Sequence, residues 1–333
     1  MNGRRRKPSM YDVAALAGVS HQTVSRVLNN HPSIREATRV KVLQAIEEIN
    51  YTPNAMARAL ATNRTHRIGV LVDGIAHYGP RTALRGFEEA AHAQGYSVDA
   101  VSVAESDDPA TSIEQLMLQG AEALCVIAPR IPSLESVRSV MHDLPVLVVT
   151  AGSVPDRLTA AVDQRAGGRL AVEHLIGLGH REILHLAGPH DWLDALAREE
   201  AWRQRLTEAG LSVREPVVGD WTADFGYEYG RSAEFDQATA VFTANDQMAL
   251  GLLHGLHDRG IRVPQEISVV GFDDNPESRH FLPPLTTVRQ DFHALGALSV
   301  TQLIAALRGA PGPQADLIAP ELVVRQSTAA PRR

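Results

Sequence analysis

At 333 residues and 36.1 kDa, the chain has material for about two domains, or three if one is small. A hydrophobic content of 44% suffices to bury full cores and excludes intrinsic disorder, while a single cysteine, Cys125, excludes an intramolecular disulfide or a thiolate zinc site. The net charge of −7 hides a split: residues 1–67 hold 11 Lys/Arg against four Asp/Glu, a net +7, leaving −14 for the remainder, so a polyanionic partner is expected for the head alone.

The N-terminus, MNGRRRKPSMYDVA, is basic but lacks the apolar stretch of a signal peptide, and no run approaches the roughly 18–20 apolar residues of a membrane span. A cytoplasmic protein without membrane contact is the expectation. Residues 9–50 read as short amphipathic helices. The first lies near Met10–Ala17 and ends at Gly18; Ser20 is placed to N-cap the second, His21–Asn29. Asn29-Asn30-His31-Pro32 breaks the chain, and a third helix runs to about Ile49 with Val42, Leu43, Ile46 and Ile49 at helical spacing. Its start is open between two registers, one of them a capping box from Ser33 to Glu36. In YTPNAMARALATNRTHR, Pro53 limits any upstream helix, Asn54 can cap, and AMARALA is a strong helix-former too short to be stable alone. It should fold only against a second chain or nucleic acid.

From Ile68 the texture becomes β/α alternation. Strand-like runs appear at IGVLVD, SVDAVSV, ALCVIAP, PVLVVT, EILHLAG, AVFTAND, ISVVGFDD and TTVRQD, with helices such as Thr82–Gln94, Ala166–Leu178, Arg198–Ala209 and Gln247–Arg259 between them. Near-continuous apolar strands bounded by helices argue parallel sheets covered on both faces, and the length of this body argues two doubly wound sheets. The expected fold is an all-α helix-turn-helix head on an α/β body.

Helix, Gly-containing turn, helix is the pattern of a DNA reader. In the second helix Val24, Val27 and Leu28 would face inward and His21, Gln22, Ser25 and Arg26 outward. Gln can pair two ways with adenine and Arg with guanine, while Ser and Thr reach phosphates or bases.

YDVAALAGVSHQTVSRVLN resembles the helix-turn-helix signature of LacI/GalR-family bacterial repressors, and YTPNAMARALAT resembles their hinge helix. The likeness continues through GHREILHLAGP, TANDQMALGLL and ISVVGFDD…LPPLTTVRQDF, so it covers nearly the whole chain. It implies that His21, Gln22 and Arg26 read bases, with Ser9, Tyr11, Ser20, Thr23, Ser25, Asn29, Thr38 and Asn54 contacting backbone or giving local support. Lac-type members carry tyrosine where this chain has His21. Leu60, flanked by Ala57, matches the family's lever leucine, which wedges into a minor-groove step. The implied domains are a DNA-binding head over 1–52, a hinge over 53–67, and a ligand-binding and dimerisation body over 68–333. Within the body, two subdomains of periplasmic-binding-protein type would span about 68–162 with 290–320, and about 163–289 with 321–330.

A small-molecule cleft between the subdomains follows from the resemblance and from the rule that open α/β sheets bind ligands beyond their strand C-termini. Arg198, Trp221, Asn245, Asp273, Gln290 and Phe292 match effector-contacting positions; Thr150 and Asp194 stand where lac-type members have an aspartate and a serine. Paired donors and acceptors beside aromatic faces suit a carbohydrate. Asp246 and Asp274 are expected to cap or to bridge elements. Passage from LVVRQST to AAPRR leaves no room for a leucine heptad, so a homodimer rather than a tetramer is expected.

Enzyme readings fare poorly. Adjacent Asp273 and Asp274 would point to opposite faces, and His174, His180, His185 and His190 form no metal spacing and are expected mostly at the surface or in turns. Neither cofactor, metal nor catalytic residue is expected. The sequence reads as a repressor that binds near-palindromic double-stranded operator DNA as a homodimer and is released by a mono- or disaccharide. A corepressor-dependent regulator of the purine-repressor type is the alternative; a sugar-uptake protein is disfavoured by the basic head.

Overall fold

The computed structural model describes residues 8–28, 31, 33–51, 64–104, 107–127, 130–140, 144–151, 157–310 and 317–332. Contacts divide the chain into two units, Met1–Thr65 and His66–Arg333.

In the first unit, Ser9 accepts from the amide of Asp12, and the Asp12 carboxylate accepts from the amide of Ser9 at 2.7 Å. This reciprocal cap opens α1 (Met10–Ala17). Gly18, at φ 65°, takes the left-handed conformation that ends the helix and returns its amide to the carbonyls of Ala14 and Ala15. Ser20 then caps α2 (His21–Leu28) by accepting from the Thr23 amide at 3.1 Å. The third helix, α3 (Glu36–Glu48), begins after Arg35 without a side-chain cap, so the capping-box register is not the one adopted; Ser33 instead bonds to the His31 ring at 2.8 Å. Val13, Ala14, Val24, Val27, Val42, Ala45 and Tyr51 form the core of the unit. Leu43 departs from expectation. It is 50% exposed because it lies one residue off the stripe of Val42, Ala45, Ile46 and Ile49 that faces the core.

The second unit holds two sheets. In the first subdomain the described elements are β1 (Arg67–Asp73), α4 (Tyr78–Ala93), β2 (Ser97–Val103), α5 (Pro109–Leu118), β3 (Ala123–Ile127), α6 (Ile131–Val140), β4 (Val146–Val149) and β5 (Leu158–Ala160), with strand order β2-β1-β3-β4-β5, all parallel. Along β1, Ile68, Val70 and Val72 enter one apolar cluster and Leu71 the other, the period-two alternation of a sheet covered on both faces. The second subdomain follows as α7 (Gln164–Leu178), β6 (Ile183–Ala187), α8 (Leu193–Glu208), β7 (Val217–Val218), α9 (Ala223–Ser232), β8 (Ala240–Thr243), α10 (Asp246–Asp258), β9 (Ser268–Asp273), a 3₁₀ turn (Pro276–His280) and β10 (Thr286–Arg289). The chain then returns to the first subdomain, where α11 (Phe292–Leu307) packs on α4 through Phe292, Leu295, Phe87 and Ala91. A last crossing brings β11 (Glu321–Val323) to the edge of the second sheet, whose order is β11-β10-β9-β8-β6-β7.

One strand departs from the all-parallel expectation: β11 runs antiparallel to β10. It, β5 and β7 have only two or three residues each, too short to give a periodic apolar signal.

Helices α9 and α10 cross at backbone contact. A Cβ on Gly251 would collide with the Ala223 carbonyl and the Tyr227 amide, so only glycine permits this crossing. The crossing also seats the N-terminus of α10, where the cleft is built. Gly251→Ala should therefore lower stability by about 1–3 kcal/mol through overpacking; a urea melt matching wild type would show that the helices can part at no cost.

Candidate functional site

In the first unit, α2 presents His21, Gln22 and Arg26 to solvent, while Val24 and Val27 are buried. Tyr11 stacks on the His21 ring with centroids 5.2 Å apart, so α1 fixes the direction of that side chain. Thr23 shares a hydrogen bond of 2.9 Å with Ser20, which orders the first turn of α2. Ser25 and Thr38 are half-buried, as is Ser9. Asn29, Asn54, Ala57 and Leu60, with positions 53–63 of the expected hinge, lie outside the described residues.

In the second unit, strand ends of both sheets open on one cleft of about 640 Å³, part of it continuous with solvent. Thr150, Asp194, Arg198, Trp221, Asn245, Asp273, Gln290 and Phe292 all line it. Thr150 follows β4, Asp273 ends β9, Gln290 follows β10, and Asn245 caps α10. Asp194 and Arg198 sit one helical turn apart on α8, which places both on one face.

A buried hydrogen-bond chain orders this wall. Arg198 Nε donates to Gln164 Oε1 at 2.9 Å, Gln164 Nε2 to Gln290 Oε1 at 2.7 Å, and Gln290 Nε2 to Asp273 Oδ1 at 2.6 Å. The guanidinium also donates by Nη1 to the Ala244 carbonyl at 2.5 Å, stands 3.7 Å from Asp273 by Nη2, and lies 3.8 Å above the Phe272 ring. Asn245 accepts from the Met248 amide at 2.9 Å and donates to the Trp221 carbonyl at 3.0 Å. That second bond helps hold Trp221 at φ 71°, a left-handed conformation costly for a non-glycine residue.

Aromatic rings complete the lining. Trp192 and Trp221 meet edge-on at 5.7 Å on the second subdomain, and Tyr78 and Phe292 meet edge-on at 6.0 Å on the first. Burial pushes the Asp273 carboxyl up to about 6 against the opposing pull of Arg198 and Gln290. The Asp194 carboxyl is likewise raised by burial, against Arg198 and the amide of Ala151. Thr150 Oγ1 and Trp221 Nε1 are buried polar atoms with no partner among the described residues.

Gln164 and Trp192 escaped the sequence reading. Gln164 is the hub of the chain, yet it occupies a helix start where an amide is unremarkable; Trp192, a lone aromatic between EILHLAGP and a helix, was the readable signal. The histidines need correction. His180 and His185 are buried and His174 is half-buried, whereas His190 is largely exposed. His185 lies on β6, a strand covered on both faces; it stacks on Phe242 at 4.7 Å, bonds to the Phe242 carbonyl at 2.9 Å, and burial lowers it to about 4. Asp246 is engaged away from the cleft, accepting from Ser278, Thr287 and the Asn275 amide, while Asp274 pairs with Arg289 and Arg325.

A helix-turn-helix unit with an outward polar face, followed by a two-subdomain α/β body around a polar and aromatic cleft, defines a ligand-binding transcriptional regulator. Residues 9–54 match the family model of bacterial regulatory proteins of the lacI family, and residues 172–328 that of a periplasmic binding protein-like domain. The chain is 35% identical to the lactose operon repressor of Escherichia coli K12 across 97% of its own length and 91% of that protein. It is 34% identical to the HTH-type transcriptional repressor PurR of Pasteurella multocida Pm70, across 95% of this chain and 97% of the other. Its structure matches a crystal structure of the lac repressor dimer bound to operator and the anti-inducer ONPF with a TM-score of 0.85 and 34% identity, covering 98% of this chain and 100% of that one. The chain belongs to the LacI family of bacterial regulatory proteins, and is a transcriptional repressor rather than an enzyme. Among the described residues, no helix is long and apolar enough to cross a membrane.

Proposed function

We propose that the protein is a cytoplasmic homodimer that holds a near-palindromic double-stranded operator through its helix-turn-helix units and is released by a small neutral sugar. The effector, a mono- or disaccharide, is gripped in the cleft by Arg198, Asn245 and Asp273, with Thr150, Asp194 and Gln290 reading further hydroxyls and Trp221 and Phe292 packing on the ring. Base reading falls to His21, Gln22 and Arg26, and Leu60 wedges the central step.

The observation that carries this reading is the meeting in one cleft of unspent donors and acceptors beside apolar rings. Thr150 Oγ1 and Trp221 Nε1 have no partner among the described residues, and Arg198 and Asp273 approach only to 3.7 Å, too long for a hydrogen bond between them. Buried polar groups of both kinds are costly until satisfied. A polyhydroxylated ring answers them together, each hydroxyl donating and accepting. Sugar bound across both subdomains favours their closed form; the hinge helices then separate and operator affinity falls. Differential affinity for two states is the whole driving force. Thr150 and Asp194 tune which hydroxyl epimer is preferred without changing the ligand class.

A second reading is favoured by the aromatic pairs Trp192–Trp221 and Tyr78–Phe292, which could face a planar base, and under it a purine corepressor would strengthen DNA binding. A thermal-shift screen of sugars and purines on the full chain, followed by operator anisotropy with each hit, separates the two. Sugars should raise the melting temperature and weaken operator binding. Purines alone raising it and tightening binding would replace the inducer reading.

The raised carboxyl of Asp273 makes effector binding pH-dependent. Its folded value of about 6 lies above the ordinary 3.8, so the fold itself favours the protonated form, and that stabilisation is present below 3.8 and lost as pH rises through about 6. Sugar hydroxyls donate to the carboxylate and favour the opposite form. Effector affinity should therefore climb as pH rises from 5 to about 7 and level off above, with proton release on binding. Asp273→Asn should flatten the profile; a wild-type midpoint constant across this range would remove Asp273 from the contact.

A further inference from the structure

A second polar cluster lies outside the effector contacts and joins the two subdomains. Asp73, fully buried, ends β1; one carboxylate oxygen accepts from the Arg130 amide at 2.7 Å and the other from Ser133 Oγ at 2.9 Å. The Arg130 guanidinium stands 3.6 Å from Asp73 by Nε and 3.8 Å from Asp191 by Nη1, and Nη2 donates to the Ala104 carbonyl at 3.3 Å. Asp73, Ala104, Arg130 and Ser133 belong to the first subdomain, whereas Asp191 lies between β6 and α8 of the second. Backbone contacts follow the same path. Arg130 and Trp192 form an isolated antiparallel bridge, and the Ile131 amide donates to the Asp191 carbonyl at 3.0 Å.

None of these residues sits on a segment that connects the subdomains. The connections run between β5 and α7, between β10 and α11, and through 317–321. A contact made away from the connections persists only while the subdomains stay closed, so it adds weight to the closed state. Arginine suits the position because its planar fork reaches three partners at once, which a lysine ammonium on one stem does not.

The cluster is also tied to the cleft. Trp192 adjoins Asp191 and lines the cleft against Trp221, while Gly74 adjoins Asp73. A Cβ on Gly74 would lie 2.6 Å from the Trp192 ring, so the ring sits directly on the end of β1. Drawing Asp191 away from Arg130 would carry Trp192 with it.

We propose that Arg130 is a positioning residue that clasps the two subdomains: by holding Asp73 and Asp191 together it seats Trp192 in the cleft wall and sets the balance between open and closed forms. The link to effector response rests on the cleft being the effector site; the clasp itself concerns the effector-free protein.

The test is an electron–electron distance measurement on the full chain without effector. Nitroxides go on Glu135→Cys and Glu234→Cys, exposed positions on different subdomains, and labelled chain is diluted with unlabelled chain so that only intrachain distances are read. Cys125 is buried and stays unlabelled. Asp191→Asn and Arg130→Met should each shift the distribution to longer, broader distances, and Arg130→Lys should restore part of the wild-type peak. Asp191→Asn changes a part-exposed side chain and keeps the measurement informative if Arg130→Met fails to fold. A distribution that stays in place in Asp191→Asn overturns the clasp. Failure of the sugar reading would leave these distances unchanged, so the two results are distinguishable.

Discussion

Asp273→Ala and Arg198→Ala should each yield a repressor that binds operator at wild-type affinity and no longer responds to its effector. Each residue is more than nine-tenths buried, and each serves the other: Arg198 supplies the opposing charge that Asp273 needs, and Gln164 and Gln290 connect them by hydrogen bonds. Removing one leaves its partner's charge uncompensated in a low-dielectric wall, a loss of roughly 3–5 kcal/mol for a buried pair. Through the proposed contacts, effector affinity should fall by at least about a hundredfold, since about 1.4 kcal/mol corresponds to a factor of ten. The α2 face lies in a separate unit and does not depend on this wall, so operator binding should persist. Operator anisotropy with and without effector checks both halves. Loss of operator binding together with effector response would show that the wall supports the whole fold rather than ligand recognition.

Much of this arrangement was legible in the amino-acid order, for reasons visible in particular residues. Gly18 and Ser20 carry their own backbone logic, a left-handed stop and a side-chain cap, so the turn between α1 and α2 could be placed to the residue. The central strands of the body were readable because both faces are buried and the apolar runs are unbroken, as in β3, where all five residues are buried. Asp273 and Asn245 follow from the same rule, since polar residues at the ends of such runs project beyond the sheet, whereas Thr150 was readable only through the family resemblance. What could not be read depends on contacts distant in sequence. Gln164 becomes a hub only when α8 brings Arg198 beside it and the connection between β10 and α11 brings Gln290, 126 positions away. His185 looked like a surface residue because histidine usually is one; its burial is set by Phe242 on the neighbouring strand. The start of α3 was ambiguous because Ser33 had two local partners, and the bond to His31 prevailed over the capping box. The antiparallel edge strand β11, three residues long, is fixed by its pairing with Thr287–Arg289 and by nothing periodic in its own sequence.

Operator binding should be steep in salt and should depend on the head more than on the overall charge of the protein. The chain as a whole is acidic at −7, so its attraction to DNA must come from the +7 of residues 1–67 acting locally. Each phosphate neutralised by Lys or Arg releases condensed counterions, and six to ten such contacts lower affinity by about 10³–10⁵ between 50 and 200 mM salt. This is the largest effect expected of the protein under a simple change of conditions. Within it, specific and nonspecific terms should separate by residue. Gln22→Ala and Arg26→Ala, on the exposed face of α2, should each cost about 1–3 kcal/mol on the operator and relax preference at one base pair, with a smaller loss on random duplex. Leu60→Ala should weaken specific binding by a similar roughly 1–3 kcal/mol through loss of the apolar wedge, leaving the salt slope unchanged because no phosphate contact is lost. Titrations at four salt concentrations on operator and on scrambled duplex give slope and intercept for each variant. A Leu60→Ala protein that lost affinity equally on both duplexes would reduce that residue to packing, and a flat salt slope in wild type would remove the basic head from the binding surface altogether.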